Sequence, residues 1–111
     1  MKIDDYDYKL ETKKGNYAEV ETEIIEGRLL ALIIETNKKC EIAISFSEID
    51  VVIYHNMEFY GVKYLPINLQ TLTPNNQLLL SGSCSFHFNN KVKIKVSGQI
   101  DTEVEVTLRM T

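Results

Sequence analysis

The chain has 111 residues, of which 44% are hydrophobic and 25% are charged, and its formal net charge at pH 7 is -4. This length and composition predict one folded domain over residues 1–111 and exclude a disordered chain. The negative charge argues against a nucleic-acid binder, because phosphate neutralisation requires a basic face. No apolar run approaches the roughly 20 residues that a membrane-spanning helix requires, so no membrane partner is expected.

The N-terminal sequence lacks the hydrophobic core of a secretory signal. We therefore expect the protein to stay in the cytoplasm unless another component carries it elsewhere. Cys40 and Cys84 are the only cysteines. Two thiols without a targeting signal are expected to be free and reduced rather than bridged.

The first half of the chain alternates apolar and polar residues with the period of a β-strand. Strands are predicted over residues 6–10 and 18–24, with a hairpin turn at Gly15 and Asn16 between them. The apolar run from Leu29 to Ile34 predicts a central strand that is covered on both faces, although a helix is the rival interpretation. The next predicted strands are residues 40–46 and 51–54.

The second half is less regular until its end. Alternation loosens over residues 55–74, a turn is predicted at residues 73–76, and a strand with a bulge at residues 81–83 is predicted over residues 78–88. Residues 92–96 and 104–110 predict a closing hairpin. Its expected register places Lys95 opposite Glu103 and Lys93 opposite Glu105, so that opposite charges meet.

About eight short strands without a convincing helix predict an all-β fold. We expect an antiparallel β-sandwich, either jelly-roll or Ig-like, with the N-terminal hairpin and the C-terminal strand at its edges.

The chemistry-bearing residues contain no motif of a known catalytic or metal site. We therefore expect no enzyme activity, no catalytic residues, no cofactor and no bound metal. An outer face of the first hairpin is predicted to be acidic, and it is interpreted as a solubilising face, with a basic partner or calcium as alternatives; its residues are Asp4, Asp5, Asp7, Glu19, Glu21 and Glu23.

The segment from residue 55 to 64 is predicted to be a loop that forms a contact surface. Aromatic residues and methionine on exposed loops are enriched at protein interfaces. The predicted interface residues are Tyr54, His55, Met57, Phe59, Tyr60 and Tyr64. In the alternative interpretation, about half of these rings close the open end of the sandwich.

Three segments carry a resemblance to a known group of proteins. They are Gly27-Arg28-Leu29-Leu30-Ala31-Leu32-Ile33-Ile34-Glu35-Thr36, Gly61-Val62-Lys63-Tyr64-Leu65-Pro66, and the closing Lys93-Ile94-Lys95-Val96-Ser97-Gly98 with Val104-Glu105-Val106-Thr107-Leu108-Arg109. Together they resemble the small β-sandwich virion proteins of tailed bacteriophages.

This resemblance implies a non-enzymatic component of the capsid, neck or tail, made in the host cytoplasm and localised to the virion. Its partners would be other virion proteins or copies of itself, in a homo-oligomer or on a larger particle. The alternative hypothesis is a small carbohydrate-binding or ligand-binding module that uses the aromatic residues named above.

Overall fold

The computed structural model describes residues 2–13, 15–48, 52–66 and 87–111, and this part of the chain forms five β-strands. They are β1 (Asp4–Glu11), β2 (Tyr17–Phe46), β3 (Val52–Pro66), β4 (His87–Gly98) and β5 (Glu103–Met110). Every strand pairing in the described residues is antiparallel. The predicted all-β, antiparallel class is therefore confirmed.

Strand β2 is 30 residues long and joins three of the strands that the sequence predicts separately. Its first part, residues 17–28, pairs with β4. Its centre, from Leu29 to Thr36, lies between β5 and β3. Its last part, residues 40–46, pairs with β4 on one side and with β3 on the other. One long strand is thus hydrogen-bonded to three other strands, β3, β4 and β5.

Glycines mark the bends at which strands change neighbours. Gly27 has a φ of 146°, and a side chain there would come within 2.9 Å of the carbonyl oxygen of Thr111. The backbones of Arg28 and Thr111 bond each other in both directions at 2.9 Å, which fixes this bend. Gly61 has a φ of 95° and lies where β3 shifts its pairing along β2. Only glycine adopts such angles without strain.

Both predicted hairpins are wrong. Strand β1 pairs with β5 instead of β2, and β4 pairs with β2 instead of β5. Lys95 consequently lies opposite Glu19 and Ala43, whereas Glu103 lies opposite Glu11. The edge prediction also fails for the C-terminal strand, because β5 lies between β1 and β2.

The connection from β4 to β5 explains the second error. Thr12 and Thr102 are fully buried, and both hydroxyls donate to the carbonyl oxygen of Gln99, at 2.6 and 2.7 Å. The backbone N–H of Thr102 donates to Thr12 Oγ1 at 3.0 Å. These bonds attach the connection to the end of β1, so β5 continues beside β1 and does not fold back onto β4.

The core lies along the centre of β2 and the inward residues of the other strands. Leu32, Ile34, Ile42 and Ile44 have no exposed surface. The prediction of a central strand at residues 29–34 is confirmed, and the helix alternative is wrong. Cys40 is free and buried, and burial raises the pKa of its thiol.

Several sequence predictions lie outside the described residues. They concern Val51, Cys84, the turn at residues 73–76, the bulge at residues 81–83 and most of the strand at residues 78–88.

Candidate functional site

The predicted contact residues do not share one surface. Residues 55–64 lie within strand β3, so the prediction of a loop is wrong. Tyr54 is fully buried and Phe59 is 4% exposed, which places both rings in the core. Asn56 Nδ2 donates to the Tyr54 hydroxyl at 3.1 Å, while burial raises the pKa of Tyr54. Neither ring is available to a partner at the surface.

His55 and Met57 occupy a different environment from the tyrosines that follow. His55 lies opposite Ala43 of β2, and its Nε2 is 2.8 Å from Glu41 Oε2. Its imidazole therefore has a partner within the molecule. Met57 is 69% exposed.

The end of β3 carries a row of exposed side chains. Tyr60, Val62 and Tyr64 are 67%, 70% and 54% exposed. Alternate residues of a strand point to the same face, so Val62 and Tyr64 share one face, and Tyr60 precedes them across the bend at Gly61. We call these three residues the apolar row. Sequence reasoning identified Tyr60 and Tyr64 but missed Val62 as a surface residue. The signal was available, because Val62 has the parity of Tyr64.

Strand pairing places this row beside a band of carboxylates. Val62 lies opposite Glu35, Glu35 lies opposite Glu105, and Glu105 lies opposite Lys9. Directly paired residues share a face of the sheet. The same face continues to Glu11 and Glu103, which are paired with each other. We call the surface formed by Glu11, Glu35, Glu103, Glu105, Lys9 and the row Tyr60, Val62 and Tyr64 the acidic face.

A groove of about 470 Å³ crosses the carboxylate part of the acidic face. Its walls come from β1, the centre of β2 and β5. The lining residues are Lys9, Leu10, Glu11, Glu35, Thr36, Asn37, Glu103, Val104 and Glu105. Four glutamates and one lysine make the groove negatively charged.

The charges of this groove are only partly compensated: Lys9 lies opposite Glu105, whereas the strand pairings of the described residues place Glu35 opposite Glu105 and Glu11 opposite Glu103. Among the described residues, Glu11 has an ion pair, at 3.7 Å from Lys13 Nζ, whereas Glu35, Glu103 and Glu105 have none. Like charges on directly opposite residues destabilise a sheet. The groove therefore holds a repulsion that a cationic group would relieve.

A bidentate ion pair joins β5 to β1 near one end of the apolar row. Arg109 Nε and Nη2 donate to the two carboxylate oxygens of Asp5 at 2.9 and 3.1 Å. This hydrogen bonding lowers the pKa of Asp5 and raises the pKa of Arg109, which also gains from a hydrogen bond with Tyr64.

A second surface has the opposite character. Lys95 lies opposite Glu19, Lys93 lies opposite Glu21, and Lys93 Nζ is 3.6 Å from Glu19 Oε1. With the His55–Glu41 pair, these residues form what we call the balanced face. The sequence prediction that the aspartates of β1 and the glutamates of β2 share the outer face of one hairpin is therefore wrong. The β1 aspartates lie beside β5, and the β2 glutamates lie beside the lysines of β4.

Within residues 2–13, 15–48, 52–66 and 87–111, no group of three or more His, Cys, Asp or Glu side chains is arranged to hold a metal ion. The same residues contain no helix of the length and hydrophobicity needed to cross a membrane. Comparison with models of known protein families gives no match for this chain, and comparison with curated proteins gives none either.

Proposed function

We propose that this protein is a non-enzymatic structural component of a bacteriophage virion, at the capsid, neck or tail, and that it acts through contacts with other proteins. The observation that carries the proposal is the acidic face, where Tyr60, Val62 and Tyr64 are more than half exposed and Val62 lies directly opposite the carboxylate-bearing Glu35. Tyrosine is enriched in protein interfaces, and contiguous exposed apolar surface marks interaction sites. The resemblance to small virion proteins supplies the biological setting.

We further propose that the strands form a two-layered sandwich. The bend near Gly27 divides β2 into parts with different neighbours, and the bend near Gly61 divides β3 into parts that pair with different parts of β2. One layer would contain β1, β5, the centre of β2 and the end of β3. The other would contain β4, the two ends of β2 and the beginning of β3. These eight segments support the sandwich interpretation.

The virion assignment is tested by quantifying the chain in purified particles of the phage that encodes it. Mass spectrometry with an isotope-labelled standard gives the copy number per particle. A constant copy number across density-gradient fractions would support the assignment. Absence of the chain from infectious particles would overturn it.

Self-assembly is tested by light scattering after gel filtration at two protein concentrations. A closed ring or trimer that persists on dilution would support contacts between copies. A strict monomer at both concentrations would refute the homo-oligomer, and neighbouring virion proteins would remain as the partners.

The carbohydrate-binding alternative depends on Tyr60 and Tyr64, because Tyr54 and Phe59 are buried. Binding in a glycan array that is lost in the double variant Tyr60→Ala/Tyr64→Ala would replace the structural proposal with this one. The array should include Tyr17→Ala as the control, since Tyr17 is 51% exposed on another strand.

A further inference from the structure

We infer that the acidic face binds an extended segment of a partner protein in which lysine or arginine residues alternate with apolar residues. This inference rests on the proposed function in protein–protein contacts and specifies the surface and the partner's chemistry.

The charge of the groove selects a cationic partner. Glu35 lies opposite Glu105, and Glu11 lies opposite Glu103, so like charges face each other in two places. Such pairs cost stability in the free protein. A basic side chain placed between paired carboxylates would remove that cost and form favourable ion pairs, which also guide the association of two proteins.

The same charge argues against two other occupants. A second copy that used the same face would bring these glutamates against their own equivalents, which increases the repulsion. A nucleic acid would bring phosphates to the same carboxylates. Complementary charge therefore favours a basic segment from a different surface.

The apolar row favours an extended conformation for that segment. Val62 and Tyr64 are separated by about 7 Å along the strand, and Tyr60 precedes them across the bend at Gly61. An extended peptide places its own alternate side chains at the same spacing. Its apolar residues would lie against this row, and its basic residues would point toward Glu35, which is paired with Val62 on the neighbouring strand.

The test uses a defined probe. A fluorescein-labelled heptapeptide with the sequence Lys-Phe-Lys-Val-Lys-Phe-Lys is titrated with the full chain, and binding is measured by fluorescence anisotropy. A peptide with glutamate in place of every lysine and a peptide with all four lysines grouped before the apolar residues are titrated in parallel. We expect the alternating basic peptide to bind most tightly and the glutamate peptide not to bind.

The variants locate the site. Glu35→Gln/Glu105→Gln should weaken binding about fivefold, because two exposed ion pairs are lost. Glu26→Gln/Glu48→Gln, which changes the net charge equally at exposed positions elsewhere, should stay within about twofold of the wild type, since it removes none of these pairs. Val62→Ser should also weaken binding, whereas Ile24→Ser, at an equally exposed apolar residue of β2, should not.

Two controls separate binding from other effects. Thermal unfolding of Glu35→Gln/Glu105→Gln should show a midpoint close to that of the wild type, because the repulsion between the two glutamates and the attraction of Glu105 to Lys9 are lost together. Lost binding would then not reflect lost folding. Raising the salt from about 50 to about 300 mM should weaken the wild-type complex by screening.

No binding by the wild type, or equal weakening by the Glu35/Glu105 and Glu26/Glu48 variants, would overturn the inference. Either result would leave the copy number in particles unaffected. Conversely, peptide binding by a chain absent from particles would overturn the virion role and leave this binding surface intact.

Discussion

The acidic face and the balanced face use the same strand in opposite ways. On the balanced face, Glu19 of β2 lies 3.6 Å from Lys93, and Glu41 of β2 lies 2.8 Å from His55. On the acidic face, Glu35 of β2 meets another glutamate, Glu105 of β5. The first surface gives these carboxylates a partner within the molecule, and the second sets two carboxylates against each other.

This difference supports the acidic face, rather than the balanced face, as the surface of the proposed protein contacts. Cross-strand ion pairs and like-charge pairs differ in sign but are similar in size. A surface that retains an avoidable repulsion gives up some stability, as binding and catalytic surfaces commonly do. The pairing of charges thus distinguishes the acidic face from the balanced face more clearly than the exposed fraction of their side chains does.

The largest effect on stability should come from truncating a side chain on the buried side of β3. Phe59→Ala should lower the free energy of unfolding by about 3–5 kcal/mol, because Phe59 belongs to the core. Tyr60→Ala, at the adjacent exposed residue, should change it by less than about 0.5 kcal/mol. Urea unfolding measures both. Similar losses for the two variants would contradict the separation of core and acidic face.

The bend of β2 at Gly27 separates the part that pairs with β4 from the part that pairs with β5. Gly27→Ala should disturb this bend. We expect a loss of about 1–3 kcal/mol, because alanine at a positive φ is strained and its Cβ would approach Thr111 O. Gly15→Ala is the matched control, since its Cβ would meet no atom within 4 Å. If both variants unfolded at the same urea concentration, the bend would not require glycine.

Neutralising one charge on each face should have opposite effects. Glu35→Gln should raise the free energy of unfolding by about 0.2–1 kcal/mol, because it removes a repulsion with Glu105, and the other residue directly opposite Glu35 is the uncharged Val62. Lys93→Gln should lower it by a similar amount, because it removes attraction to Glu19. Urea unfolding at low salt tests this pair. Changes of the same sign would show that the two faces do not differ in this way.

Acid should weaken the ion pair at the border of the acidic face. Arg109 holds the pKa of Asp5 below its usual value of 3.8. The stability from this pair is therefore fully present above pH 3.8 and is lost as the pH falls through the lowered pKa. Thermal midpoints between pH 6 and pH 2 should fall less steeply for Asp5→Asn than for the wild type. Asp4→Asn, at the exposed neighbour, should retain the wild-type slope.

The smallest effect is expected in alkali, where β1 contacts the first part of β2. Burial and the neighbouring Glu23 raise the pKa of Tyr8 from 10.0 to about 12. Its contribution to stability is therefore complete below pH 10 and decreases as the pH rises toward 12. Ultraviolet titration should show one more late-titrating phenol in the wild type than in Tyr8→Phe, in addition to the buried Tyr54, whose pKa is also raised. Titration of every tyrosine below pH 11 would contradict this environment.

The candidate site was only partly predictable. Tyr60 and Tyr64 were identified because aromatic residues recur there, but the same reasoning included Tyr54 and Phe59, which the core buries. Period-two alternation separates two faces of a strand without stating which face is inward when both carry aromatic residues. The carboxylate groove was missed entirely, since its residues come from β1, β2 and β5.

The all-β class, the central strand at residues 29–34 and the alternation of side chains between two faces follow from the local sequence pattern. That pattern suffices because the side-chain period of two is a property of the single strand. The pairing of β1 with β5 and of β4 with β2, which brings Glu35 opposite Glu105, depends on contacts between distant parts of the chain. Lys93 and Lys95 match Glu103 and Glu105 as well as they match Glu19 and Glu21. The choice between them follows from the buried Thr12–Thr102 connection and the bend at Gly27, which join residues far apart in the chain.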